Sequence, residues 1–221
     1  MIEPEMEDPG YRQPGIRPEL ARLPLRTLTA QHVTDIYQHP HQQLAKLAAR
    51  GLLHRAVYGY YIVVPQDRVD QPWQPELEAV AAGIATAVFG PERAILMGVS
   101  AARVLGAIPR ALAVAVVAVP KQRAALQLMD RDATVRFVTR DTDRLDAELI
   151  RTELGPTLAT TPEQTVLDLA HRPGLGDADT EIPTAIRTLY RLCDPDRLTE
   201  LATEQRLRAA LDRAEAIVEN R

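Results

Sequence analysis

Cysteine occurs once in these 221 residues, at Cys193, and lysine only twice, at Lys46 and Lys121. A single thiol excludes an intramolecular disulfide framework and suits a reducing compartment. Near the end of an expected helix, Cys193 reads as a small buried hydrophobe rather than a nucleophile. No G-x-x-x-x-G-K-[ST] phosphate loop exists, because Gly83, Gly90 and Gly98 lie near helices without that spacing. Neither lysine stands in the Glu-x-Lys strand pattern of a nuclease. No Cys or His pairs occur at metal-ligand spacing, so neither a metal nor a cofactor is implied. Aromatic residues make up only 4% of the chain, and its 46% hydrophobic content must therefore build a core of Ala, Leu, Val and Ile. The most apolar run, Ala111 to Val119, is too short to cross a bilayer and reads as a buried strand. The opening Met1-Ile-Glu-Pro-Glu-Met-Glu-Asp-Pro-Gly is acidic, the opposite of the basic start of a signal peptide. A soluble, cytoplasmic protein is expected.

The net charge is −4, but the charges are unevenly distributed. Between Tyr11 and Gln66 stand seven Lys or Arg against two acids, Glu19 and Asp35. The first ten residues carry four acids and no base, and the chain from Asp67 onward is acidic again. Four of the five histidines, His32, His39, His41 and His54, fall in the basic stretch. A basic module on an acidic body is the footprint of a nucleic-acid reader joined to something else.

That basic stretch has the order of a winged helix-turn-helix. Thr29 to Tyr37 and Pro40 to Arg50 read as two short helices ending at Gly51, and Leu52 to Val64 reads as a two-stranded ribbon turning at Gly59. Pro40 suits a first helical turn, and Gly51 suits the left-handed position beyond the last. At about 100° per residue, Leu44, Leu47 and Ala48 share one arc of the second helix, while Gln42, Gln43, Lys46, Ala49 and Arg50 share the other. The polar arc has no acid. Gln pairs bidentately with adenine, and Lys and Arg reach guanine or phosphate. On the ribbon, His54, Arg55 and Tyr58 are expected on the outer face or tip, within reach of DNA phosphates, while Tyr60 and Tyr61 pack inward. The predicted DNA-contacting set is Gln42, Gln43, Lys46, Arg50, Arg55 and Tyr58.

The fold class expected is α+β: an N-terminal winged helix-turn-helix followed by a mixed α/β domain with C-terminal helices. Residues 1–17 read as a disordered, proline-broken arm, 18–66 as the reader, 67–75 as a linker pinned by Trp73, and 76–221 as the body. In the body, Glu76 to Phe89 is a helix with Leu77, Val80, Ala81, Ile84 and Val88 on one side. Ser100 caps a small-residue helix. Leu112 to Val119 and Thr134 to Thr139 are strands, Arg144 to Arg151 leads into another, and Leu158 to Thr160 forms a last one. Thr161 opens a helix to His171, and helices follow over Ile182 to Cys193 and Asp196 to Asn220. Asp168 and His171, one helical turn apart, fit a local charge pair better than an acid–base couple, and no catalytic residue is assigned.

Three segments in this order, Leu47-Ala-Ala-Arg-Gly-Leu-Leu-His-Arg with Tyr58-Gly-Tyr-Tyr, Ser100-Ala-Ala-Arg-Val-Leu-Gly106, and Leu158-Ala-Thr-Thr-Pro-Glu-Gln-Thr-Val-Leu-Asp168, resemble the AbiEi family of antitoxins. The resemblance spans about Pro24 to Gly176. It implies an N-terminal winged helix that binds promoter repeats and represses the operon, and a C-terminal domain that antagonises a nucleotidyltransferase-like toxin. No short motif encodes the toxin contacts, so none are carried over. Two departures stand out: the acidic arm is longer than usual, and Pro18 and Pro24 weaken the first helix. The alternative reading is a one-component winged-helix transcription regulator whose body binds a ligand or dimerises. A third is a nucleic-acid-modifying enzyme with its centre in the body. A nucleotidyltransferase-like neighbouring gene would favour the antitoxin.

Overall fold

The structure is a computed structural model that describes residues 15–220. Most of the arm expected over 1–17 thus lies outside the described residues, although Ile16 already packs against buried side chains.

The basic segment folds as α1 (Pro18–Ala21), β1 (Thr27–Leu28), α2 (Pro40–Ala49), β2 (Leu53–Val57) and β3 (Tyr60–Val63). The helix expected over Thr29 to Tyr37 is instead a 3₁₀ turn over Ala30–Val33, closed by reciprocal hydrogen bonding between Thr29 and His32. Pro40 opens α2, and its last turn closes through Leu52 N–H to Leu47 O (3.1 Å) and Gly51 N–H to Ala48 O (3.0 Å), with Gly51 at φ 71°. This is the left-handed stop that glycine favours.

The three strands form one antiparallel sheet in the order β1–β3–β2, with a bulge between Arg55 and Val57. Period-two alternation divides its side chains between two cores. Leu28, Leu53, Tyr61 and Val63 join Leu44 and Leu47 of α2 in a small cluster. Ala56, Val57 and Ile62 join the large core of the body. The sheet is therefore buried on both faces, and apolar packing runs unbroken from the N-terminal unit into the rest of the chain.

The body begins with α3 (Leu77–Phe89), β4 (Ile95–Leu96), α4 (Val99–Val104) and β5 (Val114–Val119). β6 (Leu126–Gln127), β7 (Thr134–Thr139), β8 (Ala147–Thr152) and β9 (Gly155–Thr160) complete a six-stranded mixed sheet in the order β6–β7–β5–β4–β9–β8. Every side chain of β5 is buried, as the unbroken run Val-Ala-Val-Val-Ala-Val requires of a central strand covered on both faces. Four helices follow: α5 (Pro162–His171), α6 (Ile182–Tyr190), α7 (Pro195–Glu204) and α8 (Arg208–Glu219).

Three local readings are corrected. α3 is buried around its whole circumference from Leu77 to Thr86 rather than along one side, and Val88 is 38% exposed. Ser100 sits inside α4, where its hydroxyl accepts the backbone N–H of Val116 at 2.8 Å. It thereby continues the hydrogen bonding of β5 where the two-residue β4 ends. The last expected helix is two, because Arg206 takes φ 58° between α7 and α8, and Leu207 N–H returns to Ala202 O at 2.7 Å. Cys193 follows α6 half-buried, and burial pushes its thiol up to about 12, so the group stays protonated.

Gly83 is where α3 meets the N-terminal unit. A Cβ there would lie 2.2 Å from Thr27 Oγ1 and 3.1 Å from Thr27 Cβ. Gly83→Ala gains up to about 1 kcal/mol of helix propensity but forces β1 away, a strain of about 1–3 kcal/mol. A net loss of stability is expected in urea unfolding, with part of it recovered by adding Thr27→Ala. A stability gain of the full helix propensity in Gly83→Ala would show that the two layers slide apart freely.

Candidate nucleic-acid interface

The polar arc of α2 faces outward as its periodicity predicts. Gln42, Lys46 and Arg50 are exposed and Gln43 is half-buried, while Leu44 and Leu47 are buried on the opposite side. Gln42, Gln43 and Lys46 share a hollow of about 190 Å³ with Tyr37, Gln38 and His39. The hairpin tip, Gly59 and Tyr60, lines a second hollow of about 520 Å³ with Gln31, Pro40 and His41 at the start of α2. The start of α2 and the hairpin tip thus border one hollow.

On the ribbon, Tyr58 is 79% exposed at the tip. The Arg55 guanidinium stands 4.9 Å from the centre of the Tyr58 ring and 5.9 Å from that of Tyr61. Stacking on two π faces holds the cation in place without neutralising it, and its Nε has no hydrogen-bond partner. Tyr61 is buried as expected. Tyr60 packs against the body, its hydroxyl accepting from Arg123 Nη2 at 2.5 Å.

His54 departs from the expected outward position. Its Nε2 lies 2.8 Å from Asp130 Oδ2, and its ring meets Trp73 edge-on at 5.9 Å. Arg131 donates to the same Asp130 oxygen at 2.8 Å and to Pro75 O at 2.6 Å, and Met129 N–H donates to Ala56 O at 2.9 Å. Burial alone would raise the Asp130 carboxyl, but hydrogen bonds from Arg131 and His54 take it below its usual value. A loop of the body thus clasps β2. His54 therefore has its partner inside the protein, through a residue 76 positions away that no local pattern could reveal.

The cations of the N-terminal unit stand outside the ion pairs, as do most of those in the body. Arg17, Arg22, Arg26, Lys46, Arg50 and Arg55 are all absent from the ion pairs found among the described residues. Sequence reasoning singled out the last three only. Arg17 lies 5.5 Å above the Tyr37 ring, Arg22 follows the end of α1, and Arg26 ends the 3₁₀ turn Pro24–Arg26. The signal that could have found them is the excess of Arg over acid, since Glu19 is the only acid between Tyr11 and Gln31 in the sequence.

The body holds a different polar cluster. Asp168 accepts from Arg140 Nη1 (3.3 Å) and Gln164 Nε2 (3.2 Å), and both donors also reach Gln205 Oε1 at 3.2 Å. No hydrogen bond joins Asp168 to His171 among the described residues, and the cluster ties α5 to the end of α7. Thr161 caps α5 through Gln164 N–H and donates to Asp146 at 2.7 Å. Burial pushes the Asp168 carboxyl up to about 6, against the lowering effect of the Arg140 charge and of the hydrogen bonds from Arg140 and Gln164. An unfolded Asp titrates at about 3.9, so the folded state holds this proton more tightly. The resulting stability is fully present below about pH 4 and is lost as pH rises through about 6. Asp168→Asn cannot lose it, so the variant should gain about 2–3 kcal/mol relative to wild type between pH 4 and pH 7. Parallel stability curves for the two proteins in urea over that range would contradict this.

Among the described residues, no group of three or more His, Cys, Asp or Glu side chains is placed to hold a metal ion, and no helix is long and apolar enough to cross a membrane.

No curated protein matches the chain. Its fold is similar to that in the crystal structure of the RV2827C protein from Mycobacterium tuberculosis, with a TM-score of 0.56 at 19% identity. That similarity covers 92% of this chain and 79% of the other. The family model of the AbiEi antitoxin C-terminal domain matches residues 93–220, from β4 to the end of α8. With more than half of its length matched, including the buried Gln164–Asp168 cluster, this chain belongs to the AbiEi family of antitoxins.

Proposed function

We propose that the N-terminal unit is a winged helix-turn-helix that binds the promoter DNA of its own operon, and that the body antagonises a nucleotidyltransferase-like toxin encoded alongside. The observation that carries the DNA reading is the exposed, acid-free arc of α2, whose Lys46 and Arg50 are outside any ion pair among the described residues and whose first turn shares a hollow with the hairpin tip. α2 would enter the major groove with Gln42, Gln43, Lys46 and Arg50, and the ribbon tip would lie on the adjacent backbone. The element order supports this assignment, since a helix, a short strand, a turn, a second helix and a two-stranded ribbon follow one another in the order of that motif.

The test has two arms. A gel shift on the native promoter region should show specific binding, and Arg55→Ala should weaken promoter and unrelated duplex alike, because phosphate contacts position without specifying. A loss confined to one sequence would instead assign base reading to the ribbon. Co-expression with the neighbouring gene should restore growth, and failure to rescue a toxic nucleotidyltransferase-like neighbour would overturn the antitoxin assignment.

A further inference from the structure

We propose that residues 1–14 dock on their own DNA-reading unit and compete with DNA for it. This rests on the reading of α2 and its neighbours as the DNA surface. A groove of about 710 Å³ begins at Gly15, where those fourteen residues join the described chain. Ile16, Leu52, Val63 and Val64 supply apolar walls, and Arg22 and Arg26 supply two positive charges against the single carboxylate of Asp70. Leu52, another residue of its lining, lies two residues beyond Arg50 at the end of α2.

The occupant is chosen by charge and by reach. Glu3, Glu5, Glu7 and Asp8 are the acids of the segment, and Ile2, Met6 and Tyr11 are apolar side chains suited to the groove walls. The unit opposite carries six cations absent from any ion pair among the described residues. Fourteen residues span up to roughly 46–50 Å when extended, whereas the ten-residue α2 is about 15 Å long. The segment can therefore run through the groove and set its carboxylates beside Lys46 and Arg50, in the positions DNA phosphates would take. Because it is tethered, its effective concentration there is on the order of millimolar, with no need for high intrinsic affinity. DNA must displace it, which raises the threshold for binding and favours sites with many contacts over random duplex.

The experiment keeps the full chain and neutralises the segment with Glu3→Gln, Glu5→Gln, Glu7→Gln and Asp8→Asn together. Methyl resonances of Leu52, Val63 and Val64 are compared with wild type without DNA, and affinity is measured on the promoter and on unrelated duplex across a salt series. Shifted methyls at low salt, independent of protein concentration, are expected, together with roughly tenfold tighter DNA binding that converges with wild type as salt rises. Unchanged methyls would overturn the docking, and shifts that grow with protein concentration would assign the groove to another copy's segment and overturn the same-chain proposal. Shifted methyls with unchanged DNA affinity would overturn the competition. If neither protein binds DNA, the competition falls with the DNA reading, while the methyls still decide whether the segment docks.

Discussion

Changing Lys46 and Arg50 together to Ala is expected to weaken promoter binding and to flatten its salt dependence. Both side chains are exposed on α2 with no acid partner among the described residues, so their full charge is available to phosphates. Each phosphate left without its cation takes about 0.9 from the slope of log K against log salt, so the double variant should drop by about two units. A guanine edge read by either side chain would add a penalty of about 1–3 kcal/mol, visible as relaxed sequence preference. Stability should hardly change, because neither side chain is buried and surface substitutions stay within about 0.5 kcal/mol. Unchanged affinity and slope on the native promoter would remove α2 from the interface.

Where the chain announced itself locally, the sequence reading and the structure agree. Pro40 and Gly51 bracket α2, β7 spans Thr134–Thr139 as read, and Thr161 caps α5. The misses have non-local or unusual causes. The break between α7 and α8 is set by Arg206 in a left-handed conformation, where no glycine or proline marks it. His54 reads as an outward ribbon residue, and only the fold brings Asp130 to it. The outward arc of α2 was legible because an amphipathic helix exposes what it cannot bury. What lies against the other face of the ribbon was not, since alternation says which residues are apolar but not which partner covers them.

That hidden face governs what should happen when the chain is divided at the linker. Residues 67–75 are polar and proline-bearing, and the charge changes sign there, as a domain boundary would have it. Yet Leu25, Val57 and Ile62 are buried in the core of the body, and Gly83 of α3 abuts Thr27. Each large apolar side chain loses about 1.5–3 kcal/mol when uncovered, so separation costs roughly 5–9 kcal/mol as an upper estimate. A domain's entire stability is about 5–15 kcal/mol. Residues 15–66 keep only the small cluster around Leu28, Leu44, Leu53 and Tyr61, and a unit of this size is marginal on its own. This fragment is expected to lack a cooperative unfolding transition and to bind promoter DNA poorly. Residues 73–220 retain the six-stranded sheet and α3 to α8, and should fold with a lowered urea midpoint and no DNA binding. Circular dichroism, urea titration and gel shifts on the two fragments check this, and growth rescue by each locates neutralisation. A cooperative 15–66 fragment with full-length affinity would mean that the shared core is a contact of convenience. Full rescue by that fragment alone would move antitoxin action out of the body.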